Sequence, residues 1–365
     1  MIKRGFFFLY TLVIILGFKC LNANDHPGGV VLNDSIKEHI PDTLTIAAVG
    51  DIMMGSAFPD IGNLSPDDGK GSFTSTLDYL KSADVAFGNL EGVLLNKGNS
   101  GKCGPNSTAC YAFRMPERYV EHLTDAGFDV MSVANNHSGD FSETGRKSTA
   151  RVLDSAGIKF AGFITHPTTT FKRNGITYGF CAFAPNTGTV SINDLENVKS
   201  IISELRKTVD IVIVSFHGGG EGTRFQRVTR KSEFFYGQNR GNVYEFAHTA
   251  IDAGADLVLG HGPHVTRAIE VYKNKFITYS MGNFCTYGMF NLDGVTGMAP
   301  LFQIKLTNKG DFISANIISV LQKKNVFPII DPDKGALKQI TSLTALDFPE
   351  SNLDISATGL VELKK

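Results

Sequence analysis

The sequence predicts an α/β domain whose strands are covered on both faces. Three observations carry this. Short apolar runs of four to seven residues recur from Leu44 onward, each ending in or beside Gly. Segments with helical spacing lie between them. The runs are unbroken, as in strands buried between two layers, whereas half-exposed strands alternate apolar with polar.

The runs follow in order. Leu44–Val49 ends in Gly50-Asp51, Ala83–Phe87 in Gly88-Asn89-Leu90-Glu91, and Asp129–Val133 in Ala134-Asn135-Asn136-His137. Asp210–Phe216 leads into His217-Gly218-Gly219-Gly220-Glu221, Asp256–Leu259 into Gly260-His261-Gly262-Pro263-His264, and Phe276–Tyr279 into Ser280-Met281-Gly282-Asn283-Phe284. Between them, Pro116–Ala126 opens on Pro and stops at Gly127, as helices do. Ser142–Ala156 stops at Gly157, and Leu195–Lys207 and Asn242–Ala253 carry apolar residues at i, i+3, i+4. Asn174-Gly175 inside Phe171–Phe183 predicts a tight hairpin. After Met298 the pattern becomes strand–turn–strand around Asn308-Lys309-Gly310.

The N-terminus reads differently. Lys3 and Arg4 precede an apolar run, Phe6 to Phe18, that is short for a membrane span and suited to an export signal. Cleavage is expected after Ala23. The alternatives are an uncleaved anchor, or lipidation at Cys20, although Phe18 and Lys19 are bulky for that signal. The expected division is therefore 1–23 signal peptide, 24–42 linker, 43–325 domain, and 326–365 a C-terminal extension packed on the domain. The protein is expected to be periplasmic or extracellular.

Composition narrows the function. The chain of 365 residues is 42% hydrophobic, ample for one large core. Loss of residues 1–23 removes Lys3, Arg4 and Lys19 and leaves 32 basic against 36 acidic residues. No basic tract stands out, which argues against nucleic acid as a partner. Cys103 and Cys110 flank a short loop and read as a disulfide in an oxidising compartment, or as two free thiols. Cys181 and Cys285 lie in strand-like runs and read as buried small hydrophobes.

The chemistry is positional. Ligand sites in α/β sheets form beyond the carboxyl ends of strands, and each run here stops at a polar group. Singly, these have ordinary readings: Asp51 as a turn residue or helix cap, Glu91 as a cap, Asn135 and Asn136 as left-handed turn residues, His137 as a core histidine. Together, Asp51, Glu91, Asn136, His217, His261 and His264 form the expected metal-ligand set, with Gly260–His264 its most specific part. Carboxylate, amide oxygen and imidazole suit Mn²⁺, Fe²⁺, Zn²⁺ or Mg²⁺. Such a site lowers the pKa of water and polarises an electrophile. Asn135, Glu221, Arg224 and Asn283 are candidate substrate contacts, with a Glu221–Arg224 loop salt bridge as the alternative. His26, His39, His122, His166 and His248 lack strand-end placement and read as surface or structural.

The same motifs, in order over about residues 44–320, resemble the CapA family, the poly-gamma-glutamate capsule biosynthesis proteins, itself similar to the calcineurin-like metallophosphoesterases. The resemblance implies a metallophosphatase-like four-layer α/β/β/α sandwich. It also implies a partner that is an anionic envelope polymer, poly-gamma-glutamate in that family, together with membrane capsule-export proteins. The phosphoesterase pattern carries over in part. Met53 stands where its first motif, Asp-x-His, has histidine; Glu91 takes the place of the bridging Asp; Gly-His-x-His is lengthened by one residue. The resemblance makes Asn136 a ligand and His137 the group that stabilises the leaving oxygen, so that His137 and Asp51 are the candidate catalytic residues; one divalent ion, or one tight and one weak, is the expectation. Three functions are compatible: a metal-dependent hydrolase or transferase, a non-catalytic protein that holds the polymer during export or anchoring, and a structural envelope domain.

Overall fold

The computed structural model describes residues 41–102 and 111–364. The expected signal peptide, most of the linker and the Cys103–Cys110 pair fall outside them.

Two sheets face each other. The large sheet is built first: β1 (Thr43–Met53), β2 (Val85–Leu90), β3 (Val130–Ser132) and β4 (Lys159–Ala161) run parallel, side by side. The chain then turns through β5 (Thr168–Arg173) into β6 (Ile176–Phe183) and enters the second sheet. Asn174 and Gly175 at that turn have φ of 49° and 78°, the left-handed pair that the Asn-Gly signal predicts. β7 (Ile211–His217), the short hairpin β8 (Phe234–Phe235) and β9 (Gln238–Asn239), and β10 (Leu257–His261) come next. They are followed by β11 (Ile269–Tyr272), β12 (Lys275–Thr278) and β13 (Asn283–Thr286). The small sheet has the order β11–β12–β10–β7–β6–β5, parallel except at its two edges. β13 returns to the large sheet, parallel to β1. β14 (Met298–Thr307) and β15 (Phe312–Leu321) extend it antiparallel, and β16 (Leu353–Ile355) and β17 (Leu360–Leu363) complete its far edge.

Side-chain alternation assigns the layers. In β1, Leu44, Ile46 and Ala48 face a core shared with Phe180, Ile211, Ile213, Leu257 and Leu259 of the small sheet. Ala47 and Val49 face the other way, against α1 (Leu77–Lys81), α2 (Val120–Ala126) and α3 (Ser142–Ser155) through Leu80, Leu123 and Leu153. The outer face of the small sheet buries Val212, Val214 and Val258 under α4 (Leu195–Arg206) and α5 (Val243–Asp252). The order is therefore α/β/β/α, the expected four layers. α6 (Gly335–Asp347) packs at their edge, with Leu337 and Ile340 in the inter-sheet core.

Both sheets are clamped at the end opposite the site by one repeated device. Asp84, Asp129, Asp210 and Asp256 each precede a parallel strand. Each carboxylate accepts a hydrogen bond from a backbone N–H of the neighbouring strand, from Thr45, Ala86, Thr177 and Val212 in turn, at 2.8 or 2.9 Å. Asp256 is buried and also takes Lys275 Nζ at 2.9 Å and the Arg206 guanidinium. Its removal strips three charge-assisted bonds and leaves the Arg206 guanidinium without its carboxylate partner, while Lys275 keeps Asp311. Asp256→Ala is expected to cost about 3 kcal/mol in urea unfolding. A loss below about 0.5 kcal/mol would show that the clamp contributes nothing.

Candidate metal centre

The parallel strands of both sheets end on one rim, and their register lines up the polar groups. His217, the last residue of β7, is directly opposite His261, the last of β10. Asp51 is opposite Asn89 of β2 and Asn283 of β13, where the β1 register shifts. Asp51, Asn89 and His261 therefore belong to the strands, which continue past the ends that the apolar runs suggest. Chain approach is close here. A Cβ on Gly50 would fall 2.0 Å from Gly282 O, so only glycine admits the bond from Asp51 N–H to that carbonyl.

Asp51 joins the sheets. Its Oδ2 accepts from His264 Nδ1 at 3.0 Å, and its Oδ1 accepts from Asn89 Nδ2 at 2.8 Å. His261 Nδ1 stands 3.3 Å from Oδ1 without forming a hydrogen bond. His264 Nε2 lies 3.4 Å from Glu91 Oε1. Asn283 Oδ1 is 3.1 Å from His264 Nδ1, and its Nδ2 donates to His264 O at 3.3 Å, holding His264 in the left-handed conformation at φ 56°. Asn135 acts one step back: Nδ2 donates to Asn89 Oδ1 and Leu90 O, and Oδ1 accepts from His137 N–H.

Ligand atoms of Asp51, Glu91 and His217 lie within 4.8 Å of one another. Both oxygens of Glu91, both ring nitrogens of His217 and of His261, and Asn136 Oδ1 are buried without any hydrogen-bond partner. Each such group left bare costs about 1–3 kcal/mol. Carboxylate, imidazole and amide oxygen gathered in this way fit a hard or borderline divalent cation. The electrostatics agree. Burial raises the Asp51 carboxyl, but His261 and His264 beside it outweigh that and hold it well below the usual range. Burial and the Asp51 charge push Glu91 well up, and burial holds His217 well down. His264 rises to about 10, because Glu91 and Asp51 overcome its burial. Positive charge is stabilised at His264, between the Glu91 and Asp51 carboxylates.

His137 is placed beside this cluster. Its Nδ1 bonds Asp140 Oδ2 at 2.7 Å, its ring stacks on Phe113 with centroids 4.0 Å apart, and its Nε2 lies 4.0 Å from Glu91 Oε1. Burial lowers its pKa against the pull of Asp140. Glu221 Oε1 accepts from Asn136 Nδ2 at 3.4 Å and from Arg240 Nη2 at 2.8 Å, so its salt bridge is with Arg240. Arg224 is exposed, its guanidinium over the Phe225 ring, and makes no hydrogen bond or ion pair with the cluster.

Asn89, Asp140 and Arg240 bond Asp51, His137 and Glu221 in the candidate site and are not among the residues that the sequence singles out. Asn89 was within reach, since it shares a strand face with Glu91 two residues on. A buttress lies beneath them. Arg267, wholly buried, gives bidentate bonds to Glu233 at 2.9 and 2.7 Å, and Glu233 Oε2 accepts Gly220 N–H at 2.8 Å. This pair ties the loop after His217 to the segment after His264.

The sequence matches the family described as bacterial capsule synthesis protein PGA_cap over residues 45–287. It is 29% identical to the capsule biosynthesis protein CapA of Bacillus anthracis over 338 residues, 83% of this chain and 77% of that one. It is 27% identical to the PGA biosynthesis protein CapA of Bacillus subtilis, covering 77% and 72%. Among solved structures, a putative 5′-nucleotidase from Staphylococcus aureus aligns with a TM-score of 0.46 at 14% identity, over 82% of this chain and 58% of that one.

Metal-stripped protein titrated with Mn²⁺ is expected to take up one tight ion per chain, measured by mass spectrometry of the dialysed complex. At a hundredfold excess over Kd it gains about 2.7 kcal/mol of stability. His217→Ala and Glu91→Ala abolish both, while His166→Ala leaves them intact. Uptake untouched by His217→Ala would contradict the assignment. Glu233→Ala strands the Arg267 charge and is expected to lower stability by about 3–5 kcal/mol in the same unfolding assay; an unchanged midpoint would refute the buttress.

Proposed function

We propose, on the premise that the chain belongs to the bacterial capsule synthesis protein family, that it is an exported, metal-dependent hydrolase or transferase acting on an anionic envelope polymer. The observation that carries this reading is the buried set of bare donors, Glu91, Asn136, His217 and His261, with an oriented His–Asp pair alongside. A donor set of this kind has no structural use for so much unsatisfied polarity. The names of the Bacillus relatives, capsule and PGA biosynthesis, support a capsule polymer as the substrate class. Export rests on the signal-like residues 1–23. Among the described residues no helix is long and apolar enough to cross a membrane.

In this reading Asp51, Glu91 and His217 hold the ion, with His261, His264 and Asn136 completing the shell. The bound ion supplies Lewis acidity and lowers the pKa of water. The chain supplies the rest. Asn89 and Asn135 fix the Asp51 carboxylate, and Asn283 fixes His264. Asp140 keeps the His137 proton on Nδ1, so that Nε2 exchanges a proton with the departing oxygen or nitrogen of the substrate. Phe113 under the ring prevents it from turning.

A second reading has one observation in its favour. Met53 is buried where the phosphoesterase pattern places a histidine, so one ligand of a two-ion centre is missing. A protein that holds the polymer without cleaving it is compatible with that. Polymer binding that survives a chelator and survives His261→Ala would favour it.

Mn²⁺-loaded protein assayed on phosphoester and γ-glutamyl substrates is expected to turn over one class. His137→Ala is expected to reduce kcat by about 10²–10⁴ with Mn²⁺ uptake unchanged, and Asp140→Asn to reduce it in the same direction by less. Turnover undiminished in His137→Ala would remove His137 from the mechanism, and no turnover with any divalent metal would remove the enzyme reading.

A further inference from the structure

Arg240 follows the β8–β9 hairpin and is not explained by the fold. Its side chain is 8% exposed. Nη2 donates to Glu221, the Phe235 ring lies 5.6 Å from the guanidinium carbon, and Nε and Nη1 have no hydrogen-bond partner. A guanidinium carries five N–H donors, and a buried one used only to hold a loop has them taken up by carbonyls. Arg267 nearby shows the contrast: Nε, Nη1 and Nη2 are all bonded.

The surroundings say what the spare donors are for. One atom, Glu221 Oε1, receives both Arg240 Nη2 and Asn136 Nδ2, and the Oδ1 of that same Asn136 is among the bare donors of the metal centre. A single anionic oxygen therefore already sits between the guanidinium and the ligand set, supplied by the chain itself. Asn136 also lines a cleft of about 390 Å³ whose walls include Lys102, Arg146 and Asn186. That gives space beside the centre for the remainder of a charged molecule.

We infer that Arg240 is the anchor for an anionic oxygen of the substrate, carboxylate or phosphate, and that Glu221 fills this anchor as an internal competitor. The inference rests on the cluster being the reaction centre and adds the substrate's charge and the residue that reads it. Arg240 matches either anion through its planar fork. Displacing Glu221 by substrate keeps the guanidinium paired, so recognition exchanges one carboxylate for another anion.

The test is calorimetric titration of the full chain with inorganic phosphate and, separately, glutarate. Each is run on Mn²⁺-loaded and on chelator-treated protein. Arg240→Gln is expected to weaken binding of at least one anion about tenfold or more, with Mn²⁺ affinity retained, and Arg240→Lys by less. Glu221→Gln is expected to tighten binding of that same anion, because the internal competitor loses its charge. Which anion responds separates carboxylate from phosphate. Unchanged binding in Arg240→Gln, weaker binding in Glu221→Gln, or no binding of either anion to the wild type would overturn the inference. If Arg240→Gln fails to fold, the sign of the Glu221→Gln effect decides alone. Loss of Mn²⁺ uptake with Arg240-dependent anion binding intact in chelator-treated protein would defeat the metal reading and leave this one standing.

Discussion

The Asp51 carboxylate is a fully buried point at which the two sheets meet through polar atoms. It belongs to β1 of the large sheet and accepts from His264 in the loop after β10 of the small one. Two layers packed only through aliphatic side chains slide at little cost. A buried carboxylate with defined partners fixes their register, because any slip leaves it bare. Several features follow from this one group. Gly50 lacks a side chain because the backbone before Asp51 touches Gly282. Asn89, Asn135 and Asn283 are amides because each orients Asp51 or His264. His264 is held in a left-handed conformation to point back at it.

The opposite end of the two facing sheets is closed in a different way. Four aspartates each clip a strand to its neighbour through backbone N–H groups. The molecule is therefore stiff at one rim and chemically loaded at the other. Carboxylates at the closed rim are satisfied by the chain. At the loaded rim Asp51 and Glu221 are satisfied too, but Glu91 is not. That asymmetry separates a structural from a functional use of the same residue type.

Much of this was legible in the sequence. Unbroken apolar runs gave the buried strands, Asn174-Gly175 gave the hairpin, and the polar residues after each run gave the rim. The reasons for the misses are physical. Apolar runs mark where nonpolar side chains stop, and both burial and strand pairing continue past them, so β1 runs to Met53 and carries Asp51 inside it. Edge strands such as β16 and β17 have half-exposed faces and weak patterns. Asp140 and Arg240 act through three-dimensional neighbours, His137 and Glu221. Nothing in their local sequence distinguishes them from surface charges. Arg224, closer in sequence to Glu221, was the natural but different choice.

The ligand atoms gather most tightly at Asp51, Glu91 and His217. We propose one well-held ion there, flanked by an oriented His137 and an anion-reading Arg240. Diffraction from crystals soaked in Mn²⁺, recorded at the manganese edge, tests it most directly. The account predicts one strong anomalous peak bounded by the Asp51 and Glu91 carboxylates and the His217 ring. No peak there, or a peak only at surface carboxylates, would contradict it.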